Sequence, residues 1–596
     1  MNRFPNRCRT FVMTHSFSST DDRRTDAPLK HAQYVTFAEP VPLELGGQLP
    51  DVTCAFETWG RLNEDASNAV LVCHAISGDS HAARHDSDDD PGWWESLIGP
   101  GKWIDTDRFF VVCPNVLGGC RGTTGPSSMQ PGRSRPYGAE FPRITVGDMV
   151  DVQRRLAQHL GIQRWRAIVG GSLGGHQALT WVSRYPESTE TCVAIATSPR
   201  LTSQALGFDV IARNAIQTDP HFAGGQYYDQ PNRPDTGLAI ARMLGHITYL
   251  SSEAMDEKFD PDRHDPRQIA SAFEQRFSVG SYLAHQGQKF TTRFDANSYV
   301  TLSMAMDLVD LGSNRLALME TFDESDCQFL LVSFSSDWLF TPQQSRDIVN
   351  ALSALDKSVT YAEITSPAGH DAFLLDQEIS QYGPLVKARL GDVDDSQPEI
   401  KSAEEQILQL IPPGASVLDL GCGSGRLLAA LRARGHHRLV GGEVAQEKIL
   451  AAAARGLDVI DYDLNEGLPA FIDNQFDVVV FSATLQAVSN VEEILDEMLR
   501  VGKRVIISFP NFAYKALRED YVARGRSPRA PGAFDFDWYN TPNRRFPSIA
   551  DVTELCQIKG VTIHQAVYID STSAKTIAPS DDPNLNADTA ILLISR

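Results

Sequence analysis

Residues 165–176 have the sequence WRAIVGGSLGGH, in which an apolar run leads into Ser172 with glycine pairs before and after it. Apolar residues at positions 178, 179 and 182 then follow with helical spacing. A strand, a sharp turn and a helix around Gly-x-Ser-x-Gly are typical of a nucleophile elbow. Only small residues fit beside such a turn, which lifts the serine hydroxyl out of the carboxyl edge of a sheet. The segment therefore predicts an α/β architecture in which Ser172 is the nucleophile.

Two later strand-like runs end close to residues that can activate this serine. Asp337 follows the apolar run Phe329–Phe334, and His370 follows the run Thr360–Ile364. A serine hydroxyl needs a base to take its proton, and that base needs an acid to orient it. The chain order serine, acid, histidine is that of α/β-hydrolase folds. We therefore predict a catalytic triad of Ser172, Asp337 and His370.

An acyl-transferring serine also needs two backbone N–H donors for the oxyanion. One is expected from Leu173, which directly follows the nucleophile. The other is expected from Ile76, in the loop after the predicted strand Ala69–Cys73.

Composition excludes several classes of function. The chain has 596 residues, 42% hydrophobic and 22% charged, with a net charge of −22, which argues against non-specific nucleic-acid binding. Its nine cysteines form no C-x-x-C pair, so we expect neither disulfides nor a zinc ribbon, and a reducing cytoplasm fits. No apolar run is long enough to span a membrane, and no secretory signal is evident. His81 and His85 precede an acidic loop, which we interpret as solvated, so no metal site is expected.

Strands alternate with helical stretches on both sides of a polar, acidic segment that ends in Pro398. The predicted organisation is a disordered tail at 1–32, an α/β-hydrolase domain at 33–388 with a helical cap at about 200–312, a linker at 389–398 and a second domain at 399–596.

The first half resembles the homoserine O-acetyltransferase family. The matching stretches are residues 57–60 (ETWG), 74–81 (HAISGDSH), 91–94 (PGWW), 115–126 (NVLGGCRGTTGP), the elbow, and 369–374 (GHDAFL). The resemblance covers about residues 33–388. It implies that Ser172 takes an acyl group from a CoA thioester and passes it to L-homoserine in methionine biosynthesis, with no cofactor and with ping-pong kinetics.

The resemblance also implies substrate contacts and a homodimer. Arg213 would hold the homoserine carboxylate and Asp371 its ammonium group. Relatives that use succinyl-CoA tend to carry Arg two positions after the triad aspartate, where this chain has Leu339. An apolar side chain offers a succinyl carboxylate no partner, so acetyl-CoA is favoured. Homoserine O-succinyltransferase and an acyl hydrolase remain the alternatives.

The second half carries a different glycine motif. Residues 417–425 have the sequence VLDLGCGSG, an apolar strand that leads into a glycine-rich turn and a helix. Glycines allow close backbone approach to a ligand, and Glu443 ends the next strand, where a carboxylate can hold ribose hydroxyls. These features predict a Rossmann-like, class I methyltransferase fold with an S-adenosylmethionine pocket; a strand turn without ligand is the alternative. The predicted pocket residues are Asp419, Gly421, Gly423, Gly425, Glu443 and Asp463.

Residues 399–596 resemble the MetW family of methionine biosynthesis proteins. The resemblance rests on the glycine loop and on residues 481–486 (FSATLQ), 498–502 (MLRVG), 508–512 (SFPNF) and 538–543 (WYNTPN). It implies a methyltransferase fold without a defined methyl acceptor. Two hypotheses remain, a methyltransferase or a regulatory module that senses S-adenosylmethionine, and we favour the second.

Overall fold

The computed structural model describes residues 29–259, 278–393, 398–531, 533–573 and 575–596. The predicted tail (1–32) therefore lies almost wholly outside the described residues, and so does the middle of the predicted linker. The eight described cysteines are unpaired and buried. Within the described ranges, no helix has the length and apolar character needed to cross a membrane.

The first half alternates strands and helices. Its strands are β1 Gln33–Phe37, β2 Val41–Pro42, β3 Gln48–Leu49, β4 Val52–Trp59, β5 Ala69–Cys73, β6 Ile98–Gly99, β7 Ile104–Asp105, β8 Phe110–Pro114, β9 Ala167–Gly171, β10 Thr191–Ile195, β11 Gln328–Phe334 and β12 Val359–Ile364. Its helices are α1 Val146–His159, α2 Leu173–Arg184, α3 Ser203–Gln217, α4 Asp235–Tyr249, α5 Ser252–Phe259, α6 Ser278–Thr291, α7 Ala296–Asp307, α8 Arg315–Phe322, α9 Pro342–Ala354 and α10 Asp376–Arg389.

The second half has the same alternation. Its strands are β13 Val417–Leu420, β14 Leu439–Glu443, β15 Asp458–Asp461, β16 Phe476–Ser482, β17 Gly502–Pro510, β18 Thr562–Asp570, β19 Lys575–Thr576 and β20 Thr589–Ser595. Its helices are α11 Ser402–Leu410, α12 Arg426–Ala433, α13 Gln446–Ala454, α14 Val491–Val501, α15 Lys515–Arg524, α16 Ile549–Ile558 and α17 Pro583–Asn586.

The first-half sheet has the strand order β1-β4-β8-β5-β9-β10-β11-β12, parallel from β8 onwards. Strands β5, β9 and β10 are buried along their whole length, as expected for parallel strands with helices on both faces. The described helices α3 to α7 lie between β10 and β11, in the region predicted as a cap. Parallel pairing brings the carboxyl ends of β5, β9, β11 and β12 to one edge, where the predicted catalytic residues lie.

The second-half sheet has the order β15-β14-β13-β16-β17-β20-β18-β19, with β20 antiparallel to both of its neighbours. The order reverses between β13 and β16, which is the switch point where doubly wound sheets bind nucleotides. The glycine turn follows β13 and therefore lies at this point.

The two halves share one continuous sheet, which the sequence does not predict. Strand β12 pairs in parallel with β15 through Tyr361 and Ile460. The buried guanidinium of Arg389, at the end of α10, lies 2.6 Å from the Asp458 carboxylate, and the Ser358 hydroxyl donates to the same carboxylate at 2.9 Å. A buried charge needs such a partner, so this contact fixes the two halves against each other.

Candidate active site

Ser172 lies at the bend between β9 and α2, with φ 59° and ψ −124°. A non-glycine residue adopts such a backbone only where the surroundings enforce it. A Cβ on Gly170 would lie 2.1 Å from the Gly174 carbonyl oxygen, and one on Gly174 would lie 2.0 Å from the carbonyl oxygen of Cys73. The glycines are therefore required because the turn folds tightly on itself and against β5.

The three predicted triad residues meet at the carboxyl edge of the sheet. The Ser172 Oγ lies 2.9 Å from His370 Nε2, and the His370 Nδ1 lies 2.8 Å from Asp337 Oδ2. All three side chains are buried. The other carboxylate oxygen of Asp337 accepts hydrogen bonds from the backbone N–H groups of Leu339 and Phe340, both at 3.0 Å. The carboxylate is thus held by its own loop and aimed at the imidazole.

Two opposing effects act on His370. Burial disfavours the imidazolium, but the charge and hydrogen bond of Asp337 outweigh burial and raise the pKa of His370 above its usual value. An imidazole with a raised pKa takes a proton more readily. The geometry and the electrostatics therefore both suit His370 as a general base for Ser172.

The predicted oxyanion donors, Leu173 and Ile76, lie on two segments that are in contact at the elbow, and their role remains a prediction. Leu173 is the first residue of α2, where an N–H group has no acceptor in a preceding helical turn. Ile76 lies in the loop after β5, and the side-chain amide of Gln177 donates to the His74 carbonyl oxygen at 3.1 Å, which ties this loop to α2. His74 accepts from the Val116 N–H through Nε2 and contacts the Ala75 carbonyl through Nδ1, so it shapes the loop.

Beside the triad lies a small, largely apolar cavity of about 30 Å³. Ile76, Tyr249, Leu339 and Phe340 line its triad side, and the Tyr249 and Phe340 rings lie 5.7 and 5.1 Å from the His370 ring. Asp209 lines the cap side, where burial and then its contact with Asp307 raise its pKa well above the usual value.

Arg213 occupies a different setting from the one expected of a substrate-binding residue. Its guanidinium lies 2.5 Å from Asp307 and donates to the Ser303 hydroxyl at 3.1 Å, so it joins α3 to α7 inside the cap. Its predicted contact with homoserine remains a prediction.

A different guanidinium, that of Arg242 on α4, lies closer to the catalytic groups. It contacts the Ser77 hydroxyl at 3.5 Å and lies 5.7 Å from the centre of the Tyr249 ring. Burial raises the pKa of Asp371, and the nearby charge of Arg242 counteracts part of that increase. Arg242 was not predicted from the sequence. It lies in a helix of the predicted cap, but so does Arg213, so this position alone does not distinguish the two arginines.

In the second half, the structure brings most of the predicted pocket residues together. Gly421, Gly423 and Gly425 all have positive φ, which explains the glycines in the turn. The Glu443 carboxylate accepts from the Gly423 N–H at 2.9 Å, and so joins the ends of β13 and β14. Asp419 is buried beside this turn, and burial followed by the charges of Glu404 and Glu443 raises its pKa to about 7.

Asp463 lies at the end of the next strand but is exposed, and its carboxylate accepts from the Asn465 N–H at 2.9 Å. Its predicted adenine contact stays a prediction.

Asp86 and Asp88 in the acidic loop are exposed, as expected, but His81 and His85 are only partly exposed, and the expectation that no compact set of ligands forms here is wrong. Both imidazoles contact Glu57, which is fully buried on β4, and the three side chains form a compact group of possible metal ligands. No local sequence pattern indicates this group, because Glu57 precedes His81 by 24 positions.

Both halves of the chain match families of known proteins. Residues 68–377 match the family model described as alpha/beta hydrolase fold, and residues 401–594 match that of methionine biosynthesis protein MetW. A protein from Rhodopirellula baltica named bifunctional methionine biosynthesis protein MetXA/MetW is 69% identical over 97% of this chain and 95% of its own length.

Three further similar proteins match the first half. A homoserine O-succinyltransferase from Acidithiobacillus ferrooxidans is 49% identical over 61% of this chain and 94% of its own. The crystal structure of homoserine O-acetyltransferase from Bacillus anthracis superposes with a TM-score of 0.56 at 28% identity, over 61% of this chain and 98% of that one. The crystal structure of esterase E22 gives a TM-score of 0.55 at 27% identity, over 60% and 99%. Taken with the elbow, the triad and the glycine turn, these similarities show that the chain belongs to the family of bifunctional MetXA/MetW methionine biosynthesis proteins.

Proposed function

We propose that the first half is a homoserine O-acetyltransferase that works through an acyl-serine intermediate. The observation that carries the proposal is the connected set Ser172, His370 and Asp337 at the elbow. The similar proteins named homoserine acyltransferases support the choice of acceptor.

In the first stage, Ser172 Oγ attacks the carbonyl carbon of the acetyl thioester while its proton passes to His370 Nε2. The developing oxyanion accepts hydrogen bonds from the N–H groups of Ile76 and Leu173. The intermediate collapses by breaking the carbon–sulfur bond, and the CoA thiolate takes the proton from His370. In the second stage, His370 removes the proton of the homoserine hydroxyl, whose oxygen attacks the acyl-serine. The C–O bond to Ser172 breaks, and its oxygen recovers that proton.

Homoserine must be held by its charged ends, because only its hydroxyl reacts. Arg242 lies between the oxyanion loop and Tyr249, where a guanidinium can hold the carboxylate. Asp371 follows the catalytic histidine and can accept the ammonium group. We assign the carboxylate to Arg242 in place of Arg213, because Arg213 already has Asp307 as its partner.

The acetyl group is favoured by the cavity beside the triad. Its volume of about 30 Å³ leaves room for about two water-sized groups, which suits an acetyl methyl better than a succinyl chain. Leu339 is one of its apolar walls, and the charged residue that lines it is Asp209, a carboxylic acid. A succinyl carboxylate would therefore lack a cation there.

Succinyl transfer is the second candidate, because relatives at 49–52% identity are named homoserine O-succinyltransferase. CoA release with homoserine, measured separately with acetyl-CoA and succinyl-CoA, separates the two. We expect a kcat/KM that favours acetyl-CoA; a preference for succinyl-CoA would refute the donor assignment and leave the acceptor assignment intact.

An acyl hydrolase is the third candidate, since the fold also resembles that of esterase E22. Acetylhomoserine and free acetate are measured in the same reactions. Acetate released at the rate of CoA, with or without homoserine, would establish the hydrolase.

For the second half, we propose a regulatory domain that binds S-adenosylmethionine at the glycine turn and Glu443. Gln446, three residues after Glu443, accepts a hydrogen bond from the Thr365 N–H at 3.1 Å and donates to Gln381 at 2.8 Å. Thr365 begins the loop that leads from β12 to His370. Because Gln446 starts α13 directly after the pocket, a ligand on Glu443 has a short path to the catalytic histidine.

The test combines binding with kinetics. We expect S-adenosylmethionine to bind stoichiometrically and to change the rate of acyl transfer. Gln446→Ala should weaken this change, and the control Lys448→Ala, at an exposed neighbouring position, should keep it. The alternative, an active methyltransferase, would be shown by S-adenosylhomocysteine accumulating in the presence of cell extract.

A further inference from the structure

Glu57 on β4 is a fully buried carboxylate, and its ion-pair partners among the described residues are two histidines. The His81 Nδ1 lies 2.9 Å and the His85 Nε2 2.8 Å from the same oxygen, Glu57 Oε2. A buried carboxylate requires a compensating positive charge. Two imidazole nitrogens thus approach one carboxylate oxygen, and the three atoms lie within 4.8 Å of one another.

The second nitrogen of His81 shows what kind of positive charge fits. Its Nε2 lies 2.9 Å from the carbonyl oxygen of Asp90, to which it can only donate. A neutral His81 that donates there has a lone pair on Nδ1, which faces the lone pairs of Glu57. Those two acceptors attract each other only if a cation, either a proton or a metal ion, lies between them.

The surroundings resemble the outer shell of a metal site. The Asp90 carbonyl orients His81, and the Ser80 hydroxyl donates to the other oxygen of Glu57 at 3.1 Å. The His85 ring stacks on Trp59 with centroids 4.9 Å apart, which fixes its orientation. Outer contacts of these kinds orient metal ligands in known sites.

A third imidazole lies beside this group. The His31 ring lies tilted against His85 with centroids 4.3 Å apart. Its Nε2 has no hydrogen-bond partner among the described residues, although the Asp89 carboxylate is 3.6 Å away. The group therefore has an imidazole nitrogen nearby that no hydrogen bond among the described residues uses.

We propose that Glu57, His81 and His85 form a Zn²⁺ site, bound through Oε2, Nδ1 and Nε2, with water in the fourth position. Two histidines, one carboxylate and an open position are a donor set that Zn²⁺ accepts. Ligand atoms around one Zn²⁺ lie slightly farther apart than hydrogen-bonded atoms, so binding requires shifts of a few tenths of an ångström. Entry of the metal displaces the protons shared with Glu57.

The site's place in the fold indicates a structural role. His81 lies in the same loop after β5 as the predicted oxyanion residue Ile76, and Glu57 lies on β4, which β8 separates from β5 in the sheet. Zn²⁺ would therefore hold the oxyanion loop to β4. It lies outside the triad and takes no part in bond breaking.

The test uses the full chain, stripped with a chelator and then titrated with Zn²⁺ alone by calorimetry, with metal content measured after desalting. We expect one equivalent to bind, a higher Tm, and at least about 10-fold weaker binding for His85→Gln. The exposed histidine variant His159→Gln is the matched control and binds as the wild type does.

Co²⁺ absorption gives a second readout that needs no variant. A visible spectrum of a nitrogen- and oxygen-ligated, low-coordinate Co²⁺ in the wild-type protein, displaced by Zn²⁺, supports the site even if His85→Gln misfolds. The proposal is overturned if the wild type retains no Zn²⁺ and gives no such spectrum. In that case protons alone link His81 and His85 to Glu57.

Discussion

Replacing Asp337 by asparagine tests the division of labour in the triad. The Asp337 carboxylate uses one oxygen for the N–H groups of Leu339 and Phe340 and the other for His370. In the variant, the amide oxygen must face the two backbone donors, because an NH₂ group there would meet two N–H groups. The NH₂ group is therefore directed at His370 Nδ1.

This orientation of the new amide at position 337 reverses the tautomer of the His370 imidazole. His370 Nδ1 becomes an acceptor, so the proton moves to Nε2, which faces Ser172 and can no longer take its proton. The same exchange in serine enzymes lowers the rate by about 10⁴-fold. We expect a loss of about 10³–10⁴-fold in kcat/KM, which corresponds to about 4–5.5 kcal/mol of transition-state stabilisation.

The assay follows CoA release by thiol detection, together with thermal unfolding to show that the variant is folded. The exposed residue Asp347 on α9 provides the matched control, Asp347→Asn, which keeps wild-type activity. If folded Asp337→Asn kept more than about a tenth of the wild-type kcat/KM, the proposed orientation of His370 by Asp337 would be refuted.

Further predictions concern the substrate groups, the base and the elbow. Arg242→Gln should lower kcat/KM for homoserine by about 10²–10³-fold through loss of its charge contact with the substrate carboxylate, with acetyl transfer to the enzyme little changed in a pre-steady-state burst; an equal loss in both stages would contradict its role. Leu339→Arg should raise the succinyl-CoA to acetyl-CoA preference by about 10-fold or more, and an unchanged ratio of the two kcat/KM values would show that the residue does not line the acyl site. Because the base must be neutral and the pKa of His370 is raised, kcat/KM should increase with pH through a midpoint above about 6.5, and a pH–rate profile with its midpoint below that value would argue against this base. Gly174→Ala would place a Cβ 2.0 Å from the Cys73 carbonyl oxygen, so chemical denaturation should show a loss of about 3 kcal/mol or more, or no soluble protein; normal stability would mean that the turn can open.

The parts of the site that local sequence encodes could be predicted. The turn at Ser172 requires small neighbours, and Asp337 and His370 follow apolar strands, so their order along the chain already indicated one sheet edge. The glycines around residue 423 are likewise required by positive φ within a single turn. In each case the physical constraint lies within a few residues of the functional group.

Features that depend on distant contacts were not predictable in this way. Arg213 and Arg242 both lie in cap helices, and only the packed structure shows that Asp307 already pairs with the first. The pairing of β12 with β15 depends on the shape of two sheet edges, which no strand pattern specifies. The buried position of Glu57 also depends on a loop that folds back over β4.

The central claim, that Ser172 carries the acyl group between two substrates, is tested most directly by trapping it. Full-length protein is mixed with isotope-labelled acetyl-CoA without homoserine, quenched with acid, digested and analysed by mass spectrometry. We predict one labelled acetyl group on the peptide that contains Ser172, lost when homoserine is added before the quench and absent in Ser172→Ala. Release of CoA and formation of acetylhomoserine by Ser172→Ala at the wild-type rate, or label on another residue, would contradict it.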